Sequence, residues 1–213
     1  MITPMQNLDT IAARIRENFT AKNAARDKAL ERSRALIRFC ANSIRATHRE
    51  EWDEARAQLA EARKIVEAIR ADLAHYPDLY HAGYTQDALK EFAEANIVFA
   101  LVKNEPLPEP EALGVEYAAY LNGLGEAASE MRRRCLDIIR HDHSDEAERL
   151  LAAMDDVYSL LVTVDYPDAI TGGLRRTTDL VRGVTERTRG DLTMSLRQQR
   201  LQEALKKAEG SRP

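Results

Sequence analysis

Between Pro4 and Pro77 the chain contains neither glycine nor proline, and the first glycine of the whole sequence is Gly83. Those two residues are the commonest interruptions of regular backbone. A stretch this long without them admits long helices and leaves no room for the tight turns of a meandering sheet. Ala, Leu, Glu and Arg dominate the rest, all strong helix formers. No alternation of strand and helix patterns and no internal repeat appears. The expected fold is all-α, about six or seven helices with short loops in one bundle, with residues 1–213 as a single domain.

The chain has 213 residues, 44% of them hydrophobic and 31% charged, enough apolar surface for a real core. A net charge of −4 and a pI near 5.8 exclude a globally basic nucleic-acid binder. No run approaches the length of a membrane span. The N-terminus MITPMQNLDT shows no basic-then-apolar leader. Cys40 and Cys135 sit far apart in helical segments and form no metal or redox motif, which fits a reducing cytoplasm.

Periodicity predicts a helix over 6–47, with a coiled-coil-like seam of Leu30, Ser33, Ile37, Cys40 and Ile44. A tight corner at His48–Glu51 leads to a second helix over 50–75, its buried side marked by Trp52, Leu59, Ala62, Val66, Ile69 and Leu73. Pro77 ends it. Tyr76, Tyr80 and Tyr84 read as packing at a helix junction or as a base-stacking cluster. Thr85 is the expected N-cap of a third helix running to Val102, and Asn104–Pro110 stops it. A fourth helical region over 111–141 is bent or closely packed at Gly114, Gly123 and Gly125. The break His141–Asp145 reads as a loop capped by Ser144 or as a weak metal pattern. A fifth helix follows over 145–163, with Leu150, Leu151, Met154, Val157, Leu160 and Leu161 as its core face. The last runs over 174–207, with kinks expected near Gly183 and Gly190.

Two charge patterns carry the chemistry. On the third helix, DALKEFAEANIVF places Asp87, Glu91 and Glu94 within about a 60° wedge of one face. Like charges so placed repel by a few tenths of a kcal/mol per pair; the face either meets open water or holds a cation. Glu126 and Glu130 form a second acidic pair on the fourth helical region. If the two helices are antiparallel neighbours, four carboxylates converge. An all-oxygen set suits Mg2+ or Mn2+, and such an ion activates water and stabilises charge on a phosphoryl group. Solvated Glu-x-x-Glu faces are the alternative, with Lys90 and Arg134 as ordinary partners. A di-iron carboxylate bundle is disfavoured, since the chain has no Glu-x-x-His. The second pattern is basic. Between Arg14 and Arg49 there are ten Lys/Arg against three acids. Arg34, Arg38, Arg45 and Arg49 share one face, as a solvated surface or as a phosphate-tracking strip.

At these residues the chain resembles the translin/Trax family over nearly its whole length. RDKALERSRALIRFCANSIRATHR (Arg26–Arg49) resembles the family's long basic first helix. DALKEFAEANIVF resembles its acidic helix, LGVEYAAYLNGLGEAASEMRRR (Leu113–Arg134) its second acidic segment, and the DYPDA wording at Val164–Ile170, followed by GLRRTTDLVRG, its prokaryotic members. The resemblance implies a seven-helix bundle with a long N-terminal hairpin, assembled into a hollow octamer. It implies a Trax-type Mg2+-dependent endoribonuclease acting on single-stranded RNA. Glu91, Glu94, Glu126 and Glu130 would be the catalytic and metal-holding acids. Glu126 departs from the Asp of the Trax pattern. The resemblance also implies that Arg34, Arg38, Arg45 and Arg49 line an RNA-holding cavity. The competing expectation is a translin-like protein that binds single-stranded RNA or DNA without cutting it; a bundle that only docks proteins is the third.

Overall fold

The computed structural model describes residue 5, residues 7–141 and residues 145–210. Those residues form nine helices and no strand: α1 (Leu8–His48), α2 (Trp52–Asp72), α3 (Pro77–Tyr80), α4 (Gly83–Lys103), α5 (Pro110–Leu113), α6 (Tyr117–Ile139), α7 (Asp145–Leu161), α8 (Asp168–Thr171) and α9 (Leu174–Gly210). Six are long; α3, α5 and α8 are single turns at the junctions. The Ser144 cap and the Asp142/His143 pattern lie outside the described residues.

α1 and α2 form a hairpin that packs on α4; α4 packs on α6, and α6 on α7 and α9. This order puts α4 in the middle. Its consecutive residues Phe92, Ala93, Glu94 and Ala95 are all buried, as expected of a helix enclosed on every side. Phe92, Leu89 and Ile97 are fully buried, and each contributes roughly 1.5–3 kcal/mol of apolar burial. A carboxylate in the same enclosed stretch is therefore anomalous.

The hairpin corner is built by the backbone. Glu50 takes a left-handed conformation (φ 61). The Glu51 amide donates to the Ala46 carbonyl at 2.9 Å, and the Glu50 amide to Thr47 at 3.0 Å. This is a Schellman ending with Glu where glycine is usual. Glu50 also accepts from Arg134 on α6 at 2.6 Å, which ties the strained corner to the bundle.

Three expectations are corrected. The α1 seam holds at Ser33, Cys40 and Ile44, which are buried, but Leu36 and Ala29 take the places expected for Ile37, which is 38% exposed, and Leu30, which is half-buried. Two partners, α2 and α4, approach α1 from different sides and select that face. Thr85 is not a cap. α4 begins two residues earlier, after Ala82, and the buried Thr85 hydroxyl donates to the Leu79 carbonyl of α3. Leu160 lies on the exposed side of α7, because α6 and α9 cover only one flank. As expected, the last helix is continuous from Leu174 through Gly183 and Gly190. The three tyrosines pack against the core as half-buried side chains, so the packing reading holds.

Candidate metal centre

Glu91 and Glu94 come from α4, Glu126 and Glu130 from α6, the two helices whose packing brings them together. Gly123 makes that approach close. A methyl group there would lie 2.7 Å from the Lys90 carbonyl oxygen and 2.9 Å from the Glu94 nitrogen. On the far side of α6, a methyl at Gly125 would meet Thr177 at 2.3 Å, so α9 is drawn in equally tightly. Gly123 thus lets α6 meet the α4 backbone, while on the opposite face Gly125 makes room for the side chains of Thr177, Leu161 and Val181.

One carboxylate oxygen from each of Glu91, Glu94 and Glu126 lies within 4.8 Å of the others. Glu94 is only 8% exposed. Its burial, and then the charges of Glu91, Glu126 and Glu130, push its carboxyl up to about 8. Burial also raises Glu91, with Glu126 adding to the effect. Both acids thus hold their protons more tightly than usual unless a cation joins them.

Three cationic or donor groups, Lys90, His48 and Arg133, touch the four acids. Lys90 Nζ lies 2.6 Å from Glu126 and 3.5 Å from Glu91. Burial alone would lower its pKa, but the hydrogen bond to Glu126 and the charges of Glu126 and Glu91 outweigh it and the shift is upward. Glu130 stands beside the group of three. Its Oε2 is 2.5 Å from His48 Nε2 and 3.6 Å from Arg133. The His48 hydrogen bond, then the His48 and Arg133 charges, hold its carboxyl below the usual range. Four acids on two helices are therefore near one another: Glu91, Glu94 and Glu126 converge, and Glu130 stands beside them with one oxygen bound by His48 of α1. The spacing pattern pointed to Lys90 as a Glu94 partner and to Arg134 as a Glu130 partner. Lys90 bridges Glu126 and Glu91, and Arg134 binds Glu50 and Glu146. Nothing in the sequence signalled His48, whose partner lies 82 residues away.

Lys90 and Glu126 also line a cleft of about 1360 Å³ running toward the start of α9, where Arg175 and Arg176 stand. Arg34, Arg38 and Arg45 of α1 and Arg49 at its C-terminal cap are elsewhere and all exposed. Arg34 and Arg38 border a smaller depression of about 520 Å³ that also contains Asp27 and Glu31. Arg38 lies over the Phe39 ring, Arg45 donates to Asn42, and Arg49 is 3.8 Å from Glu51.

No protein-family profile matches the chain. It is 30% identical over 190 residues to an uncharacterized protein of Methanocaldococcus jannaschii, covering 88% of this chain and 84% of that one. Its fold is that of solved translin/Trax-type C3PO structures. The Archaeoglobus AfC3PO–duplex RNA complex superposes with a TM-score of 0.80 at 30% identity, covering 86% of this chain and 95% of that one. The crystal structure of AfC3PO gives 0.79 at 29%, covering 86% and 96%. Nematostella apo-NeC3PO gives 0.78 at 21%, covering 92% and 99%, a likeness of fold alone.

Proposed function

The chain belongs to the translin-like family, and from that premise we propose that it is a divalent-metal-dependent endoribonuclease of the Trax type, working inside a hollow homo-oligomer such as an octamer. The observation that carries this reading is the convergence of Glu91, Glu94 and Glu126 within 4.8 Å beside an open cleft. The donor set fits a hard cation: all oxygen, one member buried, and like charges unsatisfied by each other. Glu91, Glu94 and Glu126 would hold Mg2+ or Mn2+, with Glu130 at their edge. Such an ion supplies Lewis-acid charge and an activated nucleophile for phosphodiester hydrolysis.

The chain's own groups have separate tasks. Glu94, which holds its proton in the buried cluster, would give it up to ligate a divalent ion. Lys90 partly balances the charge of Glu126 and Glu91 and stands at the cleft wall, where it would meet phosphate. Arg34, Arg38, Arg45 and Arg49 hold backbone phosphates without reading bases. The AfC3PO relative was solved with duplex RNA, so single- and double-stranded substrates belong in the same assay. The deciding experiment is cleavage of labelled RNA with Mg2+, Mn2+ or EDTA by wild type and by a Glu91→Ala/Glu94→Ala variant. Metal-stimulated cleavage that vanishes in the variant supports the reading; cleavage that survives it, or none in any metal, sinks it.

One observation favours a second reading, an RNA-binding protein that does not cut. Lys90 already satisfies Glu126 and Glu91 from within the chain, as in a purely structural polar network. Lys90→Met separates the two. A metal centre with its ammonium removed loses stability in EDTA and regains it with Mn2+; a structural network loses stability and no ion restores it.

A further inference from the structure

His48 closes α1 just before the hairpin corner, and its side chain is 3% exposed. Nε2 is committed to Glu130 at 2.5 Å. Nδ1 is buried and has no hydrogen-bond partner among the described residues. A bare buried nitrogen is unfavourable, and an apolar side chain of similar size would fill the space without it. The imidazole is thus best explained by what Nε2–H does.

What it does is restrain one oxygen of a carboxylate. Glu130 lies on α6 one turn beyond Glu126, close enough for its charge to reach Glu94. Its described contacts, His48 and Arg133, both fall on Oε2. Oε1 is left uncommitted. A glutamate has three rotatable side-chain bonds, and an exposed one samples many directions. Fixing one oxygen with a short, charge-assisted hydrogen bond limits where the other can go. The donor is itself fixed, because the corner behind it is locked by the Glu51–Ala46 hydrogen bond and by the Glu50–Arg134 pair.

We propose that His48 is a positioning residue that fixes Glu130 as the fourth carboxylate ligand of the metal centre. This rests on the metal-dependent reading given above. It makes the site a product of three helices rather than two: α4 and α6 carry the acids, and α1 orients one of them. Groups that ligate metals are commonly held in this way by a second layer of hydrogen bonds, whose loss weakens metal binding about 10–100-fold.

The test is Mn2+ binding by calorimetry on the full chain, with circular dichroism as the check on folding. His48→Leu removes the donor and keeps the packing; its Mn2+ affinity is expected to fall at least about tenfold. His48→Gln restores an N–H donor and is expected to remain within about threefold of wild type. Glu130→Gln should weaken binding like His48→Leu, and the double variant should be no weaker than either alone. A folded His48→Leu variant that binds Mn2+ like wild type overturns the role of His48 and leaves the metal centre standing. Wild type that binds no Mn2+ overturns both. Should His48→Leu fail to fold, Glu130→Gln decides, and unchanged affinity there overturns the proposal.

Discussion

The acid cluster between α4 and α6 and the arginine strip on α1 look alike as patterns, each a set of like charges repeated on one helix face. In the structure they differ in kind. The acids are enclosed: Glu94 is buried, Gly123 fixes the spacing of the two backbones, and Lys90 and His48 hold the neighbours. The arginines are exposed, and the contacts of Arg38, Arg45 and Arg49 are to residues one to three positions away: Phe39, Asn42 and Glu51. Enclosure makes like charge costly and therefore informative; exposure makes it nearly free. The cluster should respond sharply to single changes and the strip only to cumulative ones.

The largest effect that can break this contrast is on catalysis. Glu91→Ala/Glu94→Ala should lower metal-dependent cleavage by about a thousandfold or more, since metal-centred charge stabilisation is worth several kcal/mol. Single-turnover assays measure it, and a loss under tenfold would make the cluster no more special than the strip.

The next effect is on stability and has a worked sign. Glu94 keeps its proton in the folded state up to about pH 8, whereas an unfolded glutamate loses it near its ordinary value. Between those two points the folded state binds the additional proton, so stability in EDTA is greatest below the lower one. It falls as pH rises toward 8, by on the order of a few kcal/mol. Glu94→Gln should flatten that decline in urea titrations at a series of pH values. A wild type whose stability does not change across that window would show that the cluster is not electrostatically strained.

Gly123→Ala comes next. The added methyl meets backbone rather than a movable side chain, so a loss of about 1–3 kcal/mol is expected, readable as a lower urea midpoint. Mn2+ affinity should fall with it, because the two pairs of acids are moved apart.

The smallest effects belong to the strip. Each of Arg34→Ala, Arg38→Ala, Arg45→Ala and Arg49→Ala should weaken RNA binding only a few-fold. Each should reduce the slope of log affinity against log salt by about 0.7 for single strands. Fluorescence anisotropy at several salt concentrations checks this. Unchanged slopes in all four would remove the strip from the RNA path.

The bundle was legible because helix signals are local. Absent glycine, prolines at junctions and apolar periodicity are properties of neighbouring residues, and they gave α1, α2, α4, α6, α7 and α9 to within a few residues. The nearness of Glu91, Glu94 and Glu126 was also legible, since two acidic faces on helices joined by a short connection have few ways to avoid each other. What stayed hidden depends on distance along the chain. The Lys90 bridge needs the rotation of α6 about its own axis. The His48–Glu130 contact needs the hairpin to fold back on α6. The buried seam of α1 was misplaced at one turn, where Ile37 and Leu36 are equally apolar and only the approach of α2 and α4 distinguishes them.

Gly123 has a consequence for how such a site can change. With main chain against main chain, the gap between α4 and α6 has no slack in either direction, and repacking the surrounding side chains cannot retune it. The remaining adjustable dimension is the reach of each carboxylate, one methylene at a time. Glu126, where the Trax pattern has Asp, is a change in that dimension. Across related chains, aspartate and glutamate exchanges at the four acidic positions should be the means by which a gauge set by the backbone is matched to one ion or another.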